Sequence, residues 1–212
     1  MPTIRALLID DHAVVRAGYR ALLKTAPEIE LVAEAPSGEQ GYLLFFQHHP
    51  DIVIMDLSLP GISGLEAIRR IINRSPAARI LAFSMHEDLM FVEQALQAGA
   101  RGYITKNSAP EVLIEAVRKI AQGDVYMETG IAQKLAYQKS RNRRTPFENL
   151  STREFEIMGL LASGLNIETI SRRLALSYKT VANYSTQIKS KLGVSSTAEL
   201  TRLAIRHSII QP

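Results

Sequence analysis

The sequence contains no cysteine, so it can form neither disulfide bonds nor thiolate metal sites. No apolar run approaches the ~20 residues that a membrane-spanning helix requires. The first residues, MPTIRALLID, also lack the pattern of a secretory signal peptide and lead directly into an apolar segment. These absences predict a soluble, cytoplasmic protein with no membrane partner.

The net charge of +4 is unevenly distributed along the 212 residues. Residues 1–121 carry 12 Lys and Arg against 14 Asp and Glu, whereas residues 122–212 carry 13 against 7. An acidic part followed by a basic part is typical of a protein whose basic part alone meets a polyanion. Basic surfaces also occur without such a partner, so the charge favours nucleic-acid binding only modestly.

The first 121 residues alternate between short apolar runs and helical patterns. The apolar runs predict strands at 4–9, 31–35, 51–55, 79–83 and 102–105. The patterns between and after them predict helices near 13–25, 38–48, 64–74, 87–98 and 109–121. Short apolar strands separated by helices are typical of a parallel sheet that is covered on both faces. We therefore predict an α/β, doubly wound, five-stranded parallel sheet.

Four predicted helix starts have the spacing S-x-x-E/Q, which is typical of a capping box. The serine and its partner three residues on are Ser37 and Gln40, Ser108 and Glu111, Ser151 and Glu154, and Ser196 and Glu199. We expect each serine to cap the helix that follows it.

The helical and strand patterns weaken between residues 122 and 148, where the stretch QKSRNRRTP is polar and basic. This region predicts a linker that contains a short helix near 129–138. Residues 149–212 show no strand pattern and predict four helices. The predicted organisation is therefore a first domain at 1–121, a linker at 122–148 and an all-helical domain at 149–212.

Polar side chains follow four of the five predicted strands at the point where each strand ends. They are Asp10 and Asp11 after the first strand, Asp56 after the third, Ser84 after the fourth and Lys106 after the fifth. The carboxyl ends of parallel strands lie at one edge of a sheet, where doubly wound folds bind ligands. We therefore expect three carboxylates, a hydroxyl and an ammonium group to meet in one pocket.

Three carboxylates in one pocket repel one another and require a cation. Carboxylate oxygens suit Mg²⁺, which also bridges to phosphate oxygens. Such a pocket can hold a phosphoryl group on Asp56, stabilised by the metal and by Lys106. Each residue alone has a simpler interpretation, as a helix cap (Asp10, Asp11 and Ser84), a turn residue (Asp56) or a surface lysine (Lys106). Their joint occurrence at the strand ends favours the pocket.

These residues lie in stretches that resemble the receiver domain of bacterial two-component response regulators. The matching stretches are DD at 10–11, MDLSLPGISG at 55–64, FSMHED at 83–88 and GARGYITK at 99–106. The resemblance implies that a sensor histidine kinase phosphorylates the protein and that the phosphoryl group shifts a balance between two packings of this domain.

The resemblance also implies a role for each residue of the pocket. The implied roles are phospho-acceptor for Asp56, Mg²⁺ ligands for Asp10, Asp11 and Asp56, phosphoryl-binding or switch residues for Ser84, Lys106 and Tyr103, and neighbours that adjust phosphate lifetime for Ser58 and His86. On activation, Ser84 is expected to move towards the phosphoryl oxygens and the Tyr103 ring to turn inward.

Residues 150–208 resemble the helix-turn-helix DNA-binding domain of the NarL/FixJ (LuxR-type) regulators. The matching stretches are LSTREFEIMGLLASGL, IETISRRLALS and KTVANYSTQIKSKLGV. A recognition helix at this place lies in the major groove. We expect Lys179 and Thr180 to contact phosphates and Ala182, Asn183 and Thr186 to face bases, with asparagine suited to adenine.

Ala182 departs from the commoner pattern of this family, which has lysine at that position. Alanine reaches neither guanine nor phosphate, so the operator of a relative cannot be transferred to this protein. Lys189 and Lys191 lie further along the same helix. We interpret them as a solvated face in preference to the alternative, contact with DNA. The stretches TPFENLS and RLAIRHSII resemble the GacA/UvrY branch, although the recognition helix does not.

The sequence therefore predicts a DNA-binding response regulator and no enzyme. The expected partners are promoter DNA, a sensor histidine kinase, RNA polymerase and a second copy of the chain, since one recognition helix buries too little surface for specific binding. One alternative is a transcription factor with a relic pocket that works without phosphorylation. Another is an aspartate-nucleophile phosphatase, which commonly has a second Asp where this chain has Ser58.

Overall fold

The structure, a computed structural model, describes residues 3–85, 89–140, 146–174, 176–207 and 209–210. The chain divides into two compact units, Met1–Tyr137 and Gln138–Pro212. Within the described ranges, no helix combines the length and the apolar character that crossing a bilayer requires.

The first unit is built on a parallel sheet of six strands in the order β2-β1-β3-β4-β5-β6. The strands are β1 Ile4–Ile9, β2 Ile29–Ala35, β3 Ile52–Asp56, β4 Ile80–Ser84, β5 Gly102–Thr105 and β6 Tyr126–Met127. Strands β3, β4 and β5 are buried along their whole length. Burial on both faces explains why they have apolar runs in place of alternating polar and apolar residues.

Helices cover both faces of this sheet. They are α1 Ala13–Leu23, α2 Gly38–His48, α3 Gly64–Arg74, α4 Leu89–Ala98, α5 Pro110–Ala121 and α6 Thr129–Ser140. One apolar cluster packs α1 and α5 on the sheet through Leu23 and Val117. The cluster on the opposite face includes Phe45 of α2, Ile68 of α3 and Val92 of α4. The prediction of a doubly wound α/β fold is thus confirmed.

The sheet has one strand more than the sequence predicted. Residues Tyr126 and Met127 form β6, which pairs in parallel with Gly102 and Tyr103 of β5. A strand of two residues leaves no periodic pattern in the sequence. It provides backbone partners for the first two residues of β5 at this edge of the sheet.

Three of the four predicted helix caps are confirmed, at Ser37, Ser151 and Ser196. The prediction for Ser108 was wrong, because α5 starts after Ala109 and has no side-chain cap. The Ser108 hydroxyl instead donates a hydrogen bond to the carboxylate of Glu128. Ser108 thus acts as a donor to a carboxylate distant in sequence, where the predicted cap required it to accept from a backbone N–H of α5.

The described residues of the second unit contain the four predicted helices and, before them, a short 3₁₀ turn that was not predicted. They are the turn at Pro146–Asn149, α7 Thr152–Ala162, α8 Ile167–Arg173, α9 Tyr178–Leu192 and α10 Thr197–Arg206. Its core includes Phe155, Ile170, Val181 and Leu200, each with at most 1% of its surface exposed. Phe147, which the sequence assigned to the linker, also packs here, with its ring 6.4 Å from that of Phe155.

Candidate functional site

The carboxyl ends of four adjacent strands bring the predicted pocket residues together. Asp10 directly follows β1, Asp56 ends β3, Ser84 ends β4, and Lys106 directly follows β5. The sheet order places these strands side by side. The pairing of Asp56 with Phe83 and of Ser84 with Thr105 keeps their ends level. The position of each residue thus follows from its place at the end of an apolar run.

Lys106 joins two buried carboxylates. Its Nζ donates hydrogen bonds to Oδ2 of Asp10 at 2.6 Å and to Oδ2 of Asp56 at 2.7 Å. Asp10 and Asp56 are 0% and 1% exposed, and 7% of the Lys106 side chain is exposed. Screening by water is weak at such a site, so the interaction is strong.

Burial and charge shift the pKa values of this pair. Burial raises the pKa of the Asp56 carboxyl, against the opposing effect of hydrogen bonds from Lys106 and from the Ser58 backbone. Burial lowers the pKa of Lys106, but its hydrogen bonds to Asp10 and Asp56 outweigh that effect and raise it. Lys106 is therefore a firmly held cation beside a carboxylate that is costly to keep ionised.

Asp11 completes an acidic cluster beside Asp10 and Asp56. One ligand atom from each of Asp10, Asp11, His12 and Asp56 lies within 4.8 Å of the others. Oδ1 of Asp11 is buried, and Nδ1 of His12 lies 2.8 Å from it. Carboxylates that lie this close repel one another, and a cation bound among them relieves the repulsion. The donor set, rich in hard oxygens, fits Mg²⁺.

The simpler interpretation of the two aspartates as helix caps does not hold. Helix α1 starts after His12, and no side chain caps it. Oδ1 of Asp10 accepts a hydrogen bond from the His12 backbone N–H at 2.8 Å, which closes a turn before the helix. Both carboxylates consequently stay in the pocket.

The other predicted pocket residues lie at different depths. Ser84 is fully buried, and its carbonyl accepts a hydrogen bond from the Lys106 N–H at 2.8 Å. Tyr103 is fully buried in the apolar cluster that also holds Val92. Ser58 is exposed, and its N–H donates to Oδ1 of Asp56 at 3.0 Å.

The predicted residue His86 lies outside the described residues.

Sequence reasoning missed a residue that supports the pocket from α1. Arg16 donates a hydrogen bond to the backbone carbonyl of Asp10 at 2.6 Å, and its Nε lies 3.8 Å from Oε2 of Glu34 on β2. The only sequence signal is that Arg16 lies four residues after His12, one helical turn into α1. Arg16 thus fixes the backbone that carries Asp10 and Asp11.

In the second unit, α9 presents one face to its own core and another to the outside. Val181, Ser185 and Ile188 are buried. The predicted DNA-contacting residues Lys179, Asn183 and Thr186 are exposed, whereas Thr180 and Ala182 are half-buried. This helix is capped by Ser177, whose Oγ accepts a hydrogen bond from the Thr180 N–H at 3.0 Å.

The exposed face of α9 contains a further residue that the sequence analysis did not name. Gln187 is exposed and lies four residues after Asn183, one turn further along α9. Its amide can donate and accept hydrogen bonds, as asparagine does. Helical periodicity starting from Asn183 could have found it.

Lys191 serves the fold of the second unit. Its Nζ donates to Oε2 of Glu154 at 2.7 Å and to the Asn149 carbonyl at 3.3 Å. Glu154 also forms the capping box of α7 with Ser151. Lys191 is exposed, as predicted for a solvated face, and in addition it binds a buried carboxylate 37 residues away in sequence.

Both units match known family models. Residues 6–118 match the response regulator receiver domain, and residues 148–204 match the bacterial regulatory proteins of the luxR family. Each match contains the candidate residues of its unit.

Relatives and a solved structure match along nearly the whole chain. The response regulator UvrY of Escherichia coli strain K12 is 39% identical over 208 residues, which cover 97% of this chain and 95% of UvrY. The transcriptional activator protein ExaE of Pseudomonas putida is 43% identical over 208 residues, 97% of each chain. The structure of RcsB from Salmonella enterica serovar Typhimurium, bound to promoter P1flhDC in the presence of the phosphomimetic BeF3-, has a TM-score of 0.72 at 23% identity. That match covers 98% of this chain and 100% of RcsB, and it shows a similar fold.

Proposed function

The chain belongs to the two-component response regulators that join a receiver domain to a LuxR-type DNA-binding domain, and from this premise we propose that phosphorylation of Asp56 controls its binding to DNA. The observation that carries the proposal is the buried contact of Lys106 with both Asp10 and Asp56. A cation held between two carboxylates is arranged to receive the negative charge of a phosphoryl group.

The proposed reaction is an in-line transfer to a carboxylate oxygen of Asp56. That oxygen attacks the phosphorus of a phosphohistidine on a sensor histidine kinase. The P–N bond breaks, and the imidazole of the kinase keeps the bonding electron pair. Lys106 then pairs with a phosphoryl oxygen, while Ser84 is proposed to donate a hydrogen bond to another.

Asp10, Asp11 and Asp56 are the residues that would hold Mg²⁺, because one carboxylate oxygen of each lies within 4.8 Å of the others. When bound, this ion neutralises charge on the transferring phosphoryl group. Arg16 keeps the backbone of Asp10 in place for this role. Ser58 and His86, each two residues after a pocket residue, are proposed to adjust how long the phosphate lasts.

The switch that follows is proposed to involve Ser84 and Tyr103. Phosphorylation adds negative charge and three acceptor oxygens, which favour a conformation with Ser84 drawn towards them. Tyr103 lies fully buried on the neighbouring strand β5. A shift at Ser84 therefore changes the packing around Tyr103 and the adjacent face of α4.

DNA binding is assigned to the outer face of α9. Lys179 and Thr180 are proposed to contact phosphates near the start of this helix. Ala182, Asn183 and Thr186 are proposed to face base edges. The structure of RcsB with a promoter and a phosphomimetic supports this role for a protein of the same fold.

The proposed partners in the cytoplasm are promoter DNA, a sensor histidine kinase, RNA polymerase and a second copy of the chain. Phosphorylation is proposed to favour the homodimer, to unmask α9, or both. The proposed domains are the receiver at 1–121, a linker at 122–148 and the DNA-binding domain at 149–212. We propose no catalytic turnover, since Ser58 stands where a phosphatase of this type commonly has its acid.

Intact-mass measurement tests the phosphorylation site. The full chain is incubated with acetyl phosphate and Mg²⁺, beside Asp56→Asn and beside Asp51→Asn, which removes a carboxylate outside the pocket. One added phosphoryl group is expected on the wild type and on Asp51→Asn, and none on Asp56→Asn or without Mg²⁺. If the wild type gains no phosphoryl group under conditions that modify a known receiver domain, the result would favour the alternative that the protein binds DNA without phosphorylation.

A further inference from the structure

The carboxylate of Glu128 holds the loop that carries Lys106. This loop connects β5 to α5, and Glu128 directly precedes α6. Oε1 of Glu128 accepts a hydrogen bond from the Thr105 N–H at 3.2 Å and another from the Ser108 hydroxyl. Oγ1 of Thr105 also lies 2.9 Å from Oγ of Ser108. One carboxylate oxygen therefore binds the residue before Lys106 and the second residue after it.

Ser108 does not cap α5, although the sequence pattern S-x-x-E places it at that position. The N-cap of α5 is Ala109, so Ser108 lies one residue before it. The Ser108 hydroxyl donates to Glu128, and its Oγ lies 2.9 Å from Oγ1 of Thr105. These contacts tie Ser108 to Glu128 and to the loop that carries Lys106.

The same loop is connected to the strand that ends in Ser84. The Lys106 N–H donates to the Ser84 carbonyl at 2.8 Å, and the Ser108 N–H donates to the Thr105 carbonyl at 3.1 Å. Thr105 is itself the partner of Ser84 in the β4–β5 register and is 5% exposed. Glu128 thus binds the backbone beside both proposed phosphoryl-binding residues.

On its other side, Glu128 is part of the start of α6. Its backbone carbonyl accepts the first helical hydrogen bond, from the Ala132 N–H at 2.9 Å. The preceding residue, Met127, pairs with Tyr103 across the β5–β6 ladder. Ile131, in the first turn of α6, is buried in the same apolar cluster as Tyr103. The segment 126–132 therefore contacts both the Lys106 loop and the buried tyrosine.

We propose that Glu128 is a positioning residue for phosphoryl transfer to Asp56, and that it couples the occupancy of the pocket to the start of α6. Glu128 holds Lys106 where its Nζ reaches Asp10 and Asp56. When a phosphoryl group draws Lys106 towards new oxygens, the loop pulls on Glu128 and loosens the first turn of α6. This inference rests on the proposed function, because it needs Asp56 to be phosphorylated.

The test compares variants of the full chain in two measurements. Glu128→Ala removes the acceptor, whereas Glu128→Gln keeps a carbonyl oxygen that can accept both hydrogen bonds. Glu115→Ala is the matched control, because Glu115 accepts a hydrogen bond from the Tyr126 hydroxyl on β6 without touching the Lys106 loop. Ser108→Ala removes one donor and serves as a milder second variant.

The first measurement is the initial rate of modification by acetyl phosphate with Mg²⁺, followed by intact mass. Glu128→Ala is expected to slow it about tenfold, since small displacements of a catalytic cation cost large factors in rate. Ser108→Ala should slow this rate by about threefold, because the hydrogen bond from the Thr105 N–H to Glu128 remains. Glu128→Gln and Glu115→Ala should stay within about twofold of the wild type.

The second measurement is amide hydrogen exchange in residues 129–137, with and without the phosphoryl group. The wild type and Glu128→Gln should exchange faster in this segment when phosphorylated. Glu128→Ala should exchange fast in both states, because its contact is already broken.

Two results would overturn this inference. One is a wild-type rate in both Glu128→Ala and Ser108→Ala, with the exchange difference intact. The other is Glu128→Gln as slow as Glu128→Ala, which would mean that the acceptor oxygen does not position the loop. Failure of the wild type itself to take up a phosphoryl group would contradict the proposed function instead, so the two failures are distinguishable.

Discussion

The two units of this protein assemble their functional side chains in opposite ways. In the first unit, Asp10, Asp56, Ser84 and Lys106 come from separate strand ends and are buried together. In the second unit, the candidate residues lie on successive turns of α9 and are mostly exposed. A buried charge requires partners within the fold, whereas an exposed polar side chain is hydrated until a binding partner replaces the water. The contrast predicts that changes in the first unit affect both stability and chemistry, while those on α9 affect binding alone.

The largest expected effect comes from removing the central cation of the pocket. Lys106→Met leaves the carboxylates of Asp10 and Asp56 buried without their shared partner. We expect the free energy of unfolding to fall by about 3 kcal/mol and phosphorylation by acetyl phosphate to slow about 100-fold. Urea denaturation without divalent cations and intact-mass kinetics measure the two effects.

The control for that substitution is Lys119→Met, which removes a half-exposed lysine paired with Glu115. It should leave both the stability and the phosphorylation rate close to those of the wild type, because water screens an exposed ion pair. If Lys106→Met changed stability and the phosphorylation rate as little as Lys119→Met does, the contacts of Lys106 with Asp10 and Asp56 would not organise the pocket.

The next effect concerns base recognition by α9. Asn183→Ala is expected to weaken binding to a selected operator about tenfold, through the loss of base hydrogen bonds. Stability and phosphorylation should stay as in the wild type, since Asn183 is exposed. Fluorescence anisotropy with a labelled duplex measures the affinity. Asn149→Ala, the same change at an exposed site outside α9, should bind as the wild type, and equal loss in both would remove Asn183 from the interface.

A smaller effect distinguishes two lysines of the same helix. Lys179 is exposed at the start of α9, whereas Lys191 is bound to Glu154 at 2.7 Å. Lys179→Met should reduce the slope of log affinity against log salt by about 0.9, the share of one phosphate contact. Lys191→Met should leave that slope unchanged. The reverse result would place Lys191 on the DNA.

The smallest effect is a pH dependence of the second unit. Burial opposes ionisation of Glu154, but hydrogen bonds from Lys191 and Ser151 prevail and lower its pKa. A carboxyl whose pKa is lower in the folded state stabilises the fold above its unfolded pKa of about 4.3. That contribution is lost as the pH falls through the lower, folded value.

Hydrogen exchange of α7 in the full chain, from pH 6 downwards, measures this loss after correction for intrinsic rates. Glu154→Gln should make the stability of α7 less dependent on pH below about 4. Glu168→Gln, at an exposed glutamate of α8, should retain the wild-type dependence. An unchanged profile in Glu154→Gln would rule out this carboxylate as the source.

The pocket could be predicted from the sequence because its residues lie where the strands of one parallel sheet end. In a parallel sheet every strand ends at the same edge, so Asp56 and Lys106 had to approach each other once their strands were recognised. The same reasoning missed Glu128, since it follows a strand of two residues that has no period. Ser108 was misassigned as a cap because α5 starts one residue later than the pattern implies, with Ala109 as its N-cap.

In the second unit, the helices could be predicted from local sequence, whereas a contact between two helices could not. Its four helices follow from local periodicity and caps, and the exposed face of α9 follows from Val181 and Ile188 on the buried side. Lys191 could not be assigned locally, because its partner Glu154 belongs to another helix. The proposed base contacts of Asn183 and Thr186 involve a partner outside the chain, so helical periodicity predicts that these residues are exposed and does not predict the bases.

The central claim is that phosphorylation of Asp56 controls DNA binding, and one measurement tests it directly. A duplex is selected from a random pool with acetyl-phosphate-treated protein, and its affinity is measured for treated and untreated wild type and for Asp56→Asn. The account predicts that treatment tightens binding by the wild type at least about tenfold, equivalent to 1.4 kcal/mol, and leaves Asp56→Asn unchanged. Equal affinity of treated and untreated wild type, with Asp56 shown by mass to be phosphorylated, would contradict it.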